Sequence, residues 1–330
     1  MAKDLLIGIT EKGVCHTKGE DEFNLDTRFR MVGETNVYDY IDKTPPSLDL
    51  VDDYQRASEK YNLPIRAGGW FYVLGRDEQL LEQNLKIGAR LGSKVHNTQV
   101  MMHHADGHLI SNQEVADFYM QACEWGESIG CLPTFEVHVN MWSEHYGRIS
   151  QVADLVEARG ATFRMTLDHS HVIFKIDNPE EQDVLGMRAD VESGAVVLDP
   201  YVAGNVCSEW IERGFVWHCH ARAAVPNNPK NIWGIHEDGS IGRGIQYPFI
   251  QPKEGEYHSD WDNEKLEPWK EVMRQLLHHH AANPDSPLGQ ISTEFIPAPD
   301  YGMGNKYSIF EHSVACANWI KQTWQDIEAG

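Results

Sequence analysis

What this sequence has little of narrows the field before any motif is read. No apolar run in its 330 residues approaches the roughly 18 that a membrane-spanning helix needs. The opening Met1-Ala2-Lys3-Asp4-Leu5-Leu6-Ile7-Gly8 holds too few apolar residues for a secretion signal. Basic residues are scarce, 28 Lys and Arg against 50 Asp and Glu, for a formal charge of −22. That balance argues against a nucleic acid partner, because phosphate-backbone affinity is drawn from clustered cations. It is equally unsuited to docking on anionic lipid. The six cysteines (Cys15, Cys123, Cys131, Cys207, Cys219 and Cys316) are scattered with no CxxC pair, and read as reduced thiols of a cytoplasmic protein. No glycine-rich dinucleotide fingerprint follows a strand, and no low-complexity linker or domain boundary breaks the chain, so residues 1 to 330 are read as one domain.

What is present is an alternation of short β-rich runs and longer amphipathic segments. Strands are predicted at Leu5 to Ile9, Asn36 to Ile41, Ile65 to Phe71, Val95 to Met102, Pro133 to Val139, Thr162 to Leu167, Phe215 to Cys219 and Gln290 to Phe295. Helices are predicted after most of them. Ser47 caps one carrying Leu48, Val51, Tyr54 and Ala57, and a second begins near Asp77 with Leu80, Leu81, Leu85 and Ile87. Others open at Asn112, Ile149, Asn205 and Leu266, the last running to His279, and Ser308 caps the final one. His278 to His280 are internal to this pattern and are not a purification tag. Eight strands alternating with helices predict an α/β fold, a (β/α)8 TIM barrel, with an open doubly wound sheet as the competitor. Two stretches break the rhythm, residues 172 to 204 after the sixth strand and 223 to 262 after the seventh. In a barrel both rise from the catalytic face. The second carries Trp233, Tyr247, Phe249, Tyr257 and Trp261, read either as a surface for a sugar ring or aglycone or as an oligomer contact.

Four of the predicted strands end on a metal-capable side chain: Glu136, Asp168, His220 and Glu294. Strand ends of a barrel converge on one axial site, so these ligands need no proximity in sequence. Two Glu, one Asp and one His make an oxygen-rich set for Mn, with Mg or Co as alternatives, rather than a thiolate-rich structural zinc site. A divalent ion gripping a ketone and its neighbouring hydroxyl polarises the carbonyl and acidifies the adjacent C–H. His138, two residues beyond Glu136, is read either as a separate base or as a core histidine. His103 and His104 follow the fourth strand and are placed at the mouth. Trp70, at the end of the third, is read as an apolar wall for the sugar or as plain packing.

This arrangement resembles the xylose-isomerase-like superfamily, in particular its ketose 3-epimerase, hydroxypyruvate isomerase and inosose dehydratase branch. The resemblance rests on the order Glu136, Asp168, His220, Glu294, on His171 in Asp168-His169-Ser170-His171, on the His218/His220 pair, and on Gly242-Arg243-Gly244-Ile245. It implies that Glu136 and Glu294 are both ligands and acid/base groups, that His171 and His218 help hold substrate, and that relatives are often dimers or tetramers. Arg222 is the candidate for the substrate-binding arginine, though it lies only two residues beyond His220, nearer than in the relatives. The Asp168 to His220 separation is also wider than in the small epimerases.

The leading expectation is a keto-sugar isomerase or epimerase working through an enediolate on a small sugar or sugar glycoside. The same proton abstraction followed by loss of a leaving group gives the alternative, a lyase. That outcome resembles inosose dehydratases and the catalytic subunit of C-glycoside deglycosidases, which act on 3-keto-glycosides and imply a smaller partner subunit. Apurinic endonucleases share the barrel but need a basic groove, which the acidic balance denies. A non-catalytic barrel is the remaining class.

Overall fold

The computed structural model describes residues 4 to 19 and 22 to 330. Its strands are β1 (Leu6–Thr10), β2 (Tyr40–Asp42), β3 (Ile65–Tyr72), β4 (Val95–Val100), β5 (Leu132–Glu136), β6 (Met165–Leu167) and β7 (Val216–Ala221). A separate antiparallel hairpin of β8 (Asn231–Ile235) and β9 (Ile241–Gly242) follows, and then β10 (Gln290–Thr293). All but the hairpin pair in parallel in the closed order β1-β10-β7-β6-β5-β4-β3-β2. This is a (β/α)8 TIM barrel, each of its eight strands falling on a predicted one.

The helices in chain order are α1 (Leu25–Thr35), α2 (Val51–Tyr61), α3 (Glu78–Leu91), α4 (Asn112–Ile129), α5 (Gly147–Glu157), α6 (Ser170–Ile173), α7 (Pro179–Gln182), α8 (Arg188–Ser193), α9 (Val206–Glu212), α10 (Glu267–Ala282) and α11 (Ile309–Ala329). Their starts have local causes. Ser111 and Glu114 form a reciprocal capping box at α4, whose Val115, Phe118, Tyr119 and Ala122 pack inward. Asn205 and Ser308 cap α9 and α11 through their side chains. The helix α1 was not anticipated: Asp26, Arg28, Arg30 and Gly33 dilute its apolar stripe, and it buries only Phe29 and Val32. The second strand is correspondingly shifted. Asn36 is the left-handed cap of α1 (φ 53°), so pairing starts at Tyr40 and extends through Asp42.

The barrel interior carries hydroxyl pairs between its strands. Tyr40 Oη and Ser292 Oγ are 2.7 Å apart, as are Thr134 Oγ1 and Thr166 Oγ1. Gly8 makes the first of these possible, since a Cβ there would overlap the Tyr40 ring.

The two long connections are structured. Residues 172 to 204 hold α7 and α8, while residues 223 to 262 hold the hairpin and an irregular segment. Three of the five aromatic residues of the second stretch are turned inward rather than offered as a stacking surface. Tyr247, Phe249 and Tyr257 are buried, and Phe249 meets Trp269 of α10 and Trp319 of α11. Trp261 donates Nε1–H to the Pro248 carbonyl at 2.8 Å. These rings are apolar enough to be better removed from water than offered to it, and they weld the stretch to the outer helices. Among the described residues no helix is long and apolar enough to cross a membrane.

Candidate active site

The strand ends of β5, β7 and β10 bring Glu136, His220 and Glu294 together. His220 Nδ1 lies 2.9 Å from Glu136 Oε1 and 3.0 Å from Glu294 Oε2. The three potential ligand atoms lie within 4.8 Å of one another. His220 Nε2 faces Asp42 Oδ2 at 3.2 Å, so both ring nitrogens point at carboxylates. Burial opposes a charge on this ring, but Glu294 and Glu136 outweigh it and hold its pKa well above the ordinary histidine range.

Asp168, the fourth expected ligand, is engaged otherwise. Its Oδ2 accepts from Arg222 Nη1 at 2.7 Å, and its Oδ1 accepts from Ser170 N at 3.0 Å and Ser170 Oγ at 2.5 Å. Arg222 continues to Glu294, donating Nη2–H to Oε2 at 2.5 Å and Nε–H to the carbonyl at 2.8 Å. The guanidinium therefore stands between Asp168 and Glu294 as a fully buried bridge. Burial would raise the Asp168 pKa, but the charges of Arg222 and His171 drive it well below the usual carboxylate range. So three of the four expected ligands face one point and the fourth faces it across Arg222.

Two groups that sequence reasoning missed hold Glu136. Asn97 Nδ2 and Gln99 Nε2 donate to its Oε2 at 2.8 and 2.5 Å. Both sit on β4, beside β5 in the barrel. Asp42 was missed because the predicted second strand stopped one residue short. It accepts from Ser292 Oγ at 2.8 Å as well as facing His220, and these hydrogen bonds and the His220 charge overcome its burial and lower its pKa.

The remaining expected site residues are placed as follows. Trp70 lines a cleft with Phe71, their rings stacked at 5.2 Å between centroids. The cleft has a volume of about 100 Å³, and Thr10, Asp42, Thr44, Gln99, His220 and Glu294 also line it. His171, His218 and Arg222, expected to touch substrate, are buried and do not line this cleft. His171 Nε2 stands 3.2 Å from Asp168 Oδ2 and 3.3 Å from Arg222 Nη1. His218 lies one layer deeper than His220, 3.0 Å from Ser292 Oγ, and burial presses its pKa to about 3. His103 and His104 belong to a turn beyond β4 and do not line the cleft either.

The reading of His138 as a strand neighbour of Glu136 is corrected. β5 ends at Glu136, so strand alternation does not extend to His138. Its Nδ1–H donates to the Val139 carbonyl at 2.6 Å, and its Nε2 accepts from Tyr301 Oη at 3.1 Å. The ring packs on His171 at 4.2 Å, and burial lowers its pKa to about 4. Tyr301 in turn covers the Arg222 guanidinium at 4.2 Å. The Gly242-Arg243-Gly244 turn also acts here: Arg243 pairs with Glu144 and Glu181 and donates to Asn140 Oδ1 at 3.3 Å. Gly244 (φ 78°) lets the backbone lie against Pro229, where a Cβ would overlap the carbonyl.

The donor set fits a divalent cation on charge as well as on ligand type. Four buried carboxylates, Asp42, Glu136, Asp168 and Glu294, face one guanidinium and one imidazole. Uncompensated buried charge is costly, and a doubly charged ion is the simplest balance. Glu136, Glu294 and Nδ1 of His220 would hold it, and Asp42 on Nε2 would fix the ring as carboxylates behind metal-bound histidines do.

No protein-family model and no curated protein sequence matches this chain. Solved structures do match along their whole length. A D-allulose 3-epimerase from Methylomonas sp. in complex with D-allulose is 13% identical over 98% of this chain and 99% of that one, with a TM-score of 0.56. The IOLI protein with a bound zinc atom is 12% identical over 98% and 99%, TM-score 0.55. A 3-keto-D-glucoside 4-epimerase from E. coli is 11% identical over 97% and 100%, TM-score 0.52. At these identities the likeness is one of architecture, and the fold this chain shares with them is the (β/α)8 barrel.

Proposed function

We propose that this protein is a divalent-metal-dependent enzyme that abstracts a proton beside a sugar carbonyl, as a keto-sugar isomerase or epimerase. The observation that carries this reading is the set of four buried carboxylates around one imidazole and one guanidinium, with Asp42, His220 and Glu294 bordering a small cleft. The ion we infer is Mn, with Mg and Co suited to the same donors. When bound, it polarises the carbonyl and its neighbouring hydroxyl and lowers the barrier to losing the adjacent proton.

The two glutamates are not equivalent. Glu294 borders the cleft with its side chain 11% exposed, whereas Glu136 is fully enclosed. We assign Glu294 as the group that takes the proton from a substrate in the cleft. Glu136, with Oε2 tied by Asn97 and Gln99, is the fixed carboxylate for the opposite face. His138 serves as a positioning residue: its only lone pair is engaged by Tyr301, and together they close the far side of the Arg222 bridge.

A second reading, elimination from a 3-keto-glycoside or an inosose-type dehydration, is favoured by the Trp70–Phe71 wall. Phe71 is 45% exposed at the cleft and offers a stacking face for a second ring. A smaller partner subunit belongs to this reading only. Solvent deuterium uptake by NMR, into ketoses and 3-keto-glycosides with Mn supplied or stripped, tests both. Metal-dependent exchange with an intact carbon skeleton supports isomerisation, and release of aglycone or water supports elimination. Absence of metal-dependent exchange or release in every sugar overturns the proposal.

A further inference from the structure

We propose that the turn His104-Ala105-Asp106-Gly107-His108, between β4 and α4, is a second divalent-metal site for a borderline ion such as Zn²⁺, held by Nδ1 of His104, Oδ1 of Asp106 and Nδ1 of His108. The three donor atoms lie within 4.8 Å of one another. The Asp106 oxygen is 3.1 Å from His104 Nδ1 and 2.6 Å from His108 Nδ1. Donors of a tetrahedral zinc ion with bonds of about 2.0–2.1 Å sit roughly 3.3 Å apart, so the Asp106–His108 pair would open by about 0.7 Å to admit the ion.

Three observations show that the turn is built to present these atoms. The backbone is closed on itself: His104 N–H donates to the His108 carbonyl and Gly107 N–H to the His104 carbonyl, each at 2.9 Å, with Gly107 at φ 95°. Ala105 N–H donates to the Leu74 carbonyl at 2.8 Å, anchoring the turn to the neighbouring loop.

Hydrogen bonds hold both rings against Asp106. Asp106 N–H donates to His104 Nδ1 at 3.3 Å, so that nitrogen is the unprotonated one. His108 donates from both nitrogens, Nε2–H to Glu114 Oε1 at 2.8 Å and Nδ1–H to Asp106 Oδ1 at 2.6 Å, so an incoming ion would take the place of the Nδ1 proton. A histidine whose other nitrogen donates to a carboxylate is the usual arrangement behind a metal ligand.

Glu114 is itself fixed, because its Oε2 accepts from Ser111 N and Ser111 Oγ at 2.8 and 2.6 Å in the capping box of α4. The two imidazoles stack at 4.8 Å between centroids, and the His104 ring fills the space that Gly75 leaves. An ion here would lock the β4–α4 turn, which the His108–Glu114 hydrogen bond ties to the first turn of α4. None of these residues lines the cleft, so the site stands independently of the reaction proposed above.

Equilibrium dialysis of the full chain against micromolar Zn²⁺, with elemental analysis of bound metal, tests this. The expected result is that a His104→Ala/His108→Ala variant binds one ion per chain fewer than the wild type. A Glu136→Gln/Glu294→Gln variant should keep the ion that the first variant loses. Asp106→Asn, which preserves the shape of the turn, should weaken that ion's binding at least tenfold. Equal zinc content in the wild type and the histidine variant, or loss seen only at millimolar free zinc, overturns the site. The two double variants separate its failure from failure of the barrel site.

Discussion

On the β5, β6, β7 and β10 side of the barrel mouth, the charged groups nearest the axis are buried against partners. Asp168, Arg222, Glu294 and His220 form one continuous chain, with Glu144, Lys175, Glu181 and Arg243 a second cluster on the loops above. On the β1 to β4 side, the mouth holds the cleft, where Glu11, Lys12, Asp42 and Lys43 stand among hydroxyls, amides and the Trp70–Phe71 stack. The closed half fixes where charge sits, and the open half leaves room for a substrate to choose its orientation. The groups placed at the seam, His220 and Glu294, take rigidity from one side and access from the other.

The largest effect should come from breaking the seam. Glu136→Gln or Glu294→Gln is expected to lower turnover by about 10²–10⁴-fold or more and to weaken metal retention while leaving the fold intact. Full activity in either variant, measured with Mn supplied, would sink that residue's assignment. Next comes the closed half itself. Arg222→Met leaves Asp168 and Glu294 buried without their guanidinium, and should cost about 3–5 kcal/mol in urea unfolding. Stability unchanged within about 1 kcal/mol would show that burying the bridge cancels what it contributes.

Acid should loosen the molecule ahead of its carboxylate range. Burial holds His96 and His312 at about 4, against an ordinary 6.5, so the unfolded chain binds their protons first. Their contribution is therefore present above pH 6.5 and is lost as pH falls from 6.5 towards 4, each ring giving up roughly 1.4 kcal/mol for every pH unit in that window. Thermal melts from pH 7 to 4.5 should show the decline. His312→Asn, which keeps an acceptor for Phe249 N–H, should flatten it, and an unchanged slope would remove His312 from the account. The smallest effect tests the open half. Trp70→Ala should raise KM for an aryl 3-keto-glycoside by about 5–30-fold, as loss of roughly 1–2 kcal/mol of stacking implies, while moving a free ketose by under about threefold. Equal effects on both substrates would mean that Trp70 is packing alone.

The barrel strands could be read from short β-rich runs between turn residues, with the second displaced, and that property is local. The order Glu136, Asp168, His220, Glu294 was legible for the same reason: each lies at or just past the end of such a run. Asp42 escaped because α1 has a broken apolar stripe, which displaced the predicted second strand towards Asn36. Asn97 and Gln99 carried no signal at all, since amides on a strand are indistinguishable from packing until the opposing carboxylate is known. The aromatic residues 247, 249 and 257 misled in the opposite direction, because composition reports that rings are present but not which way the chain folds over them.

The sequence alone therefore determined the barrel and the four metal-capable side chains at its strand ends, because hydrophobic spacing and strand ends are written along the chain. Only the tertiary structure decided which partner each of them meets. Closure of β10 between β7 and β1 sets Asp42 behind His220 and lets Arg222 reach both Asp168 and Glu294. Those contacts depend on cross-strand register and on side-chain direction, and neither is encoded in the spacing of residues within a single strand.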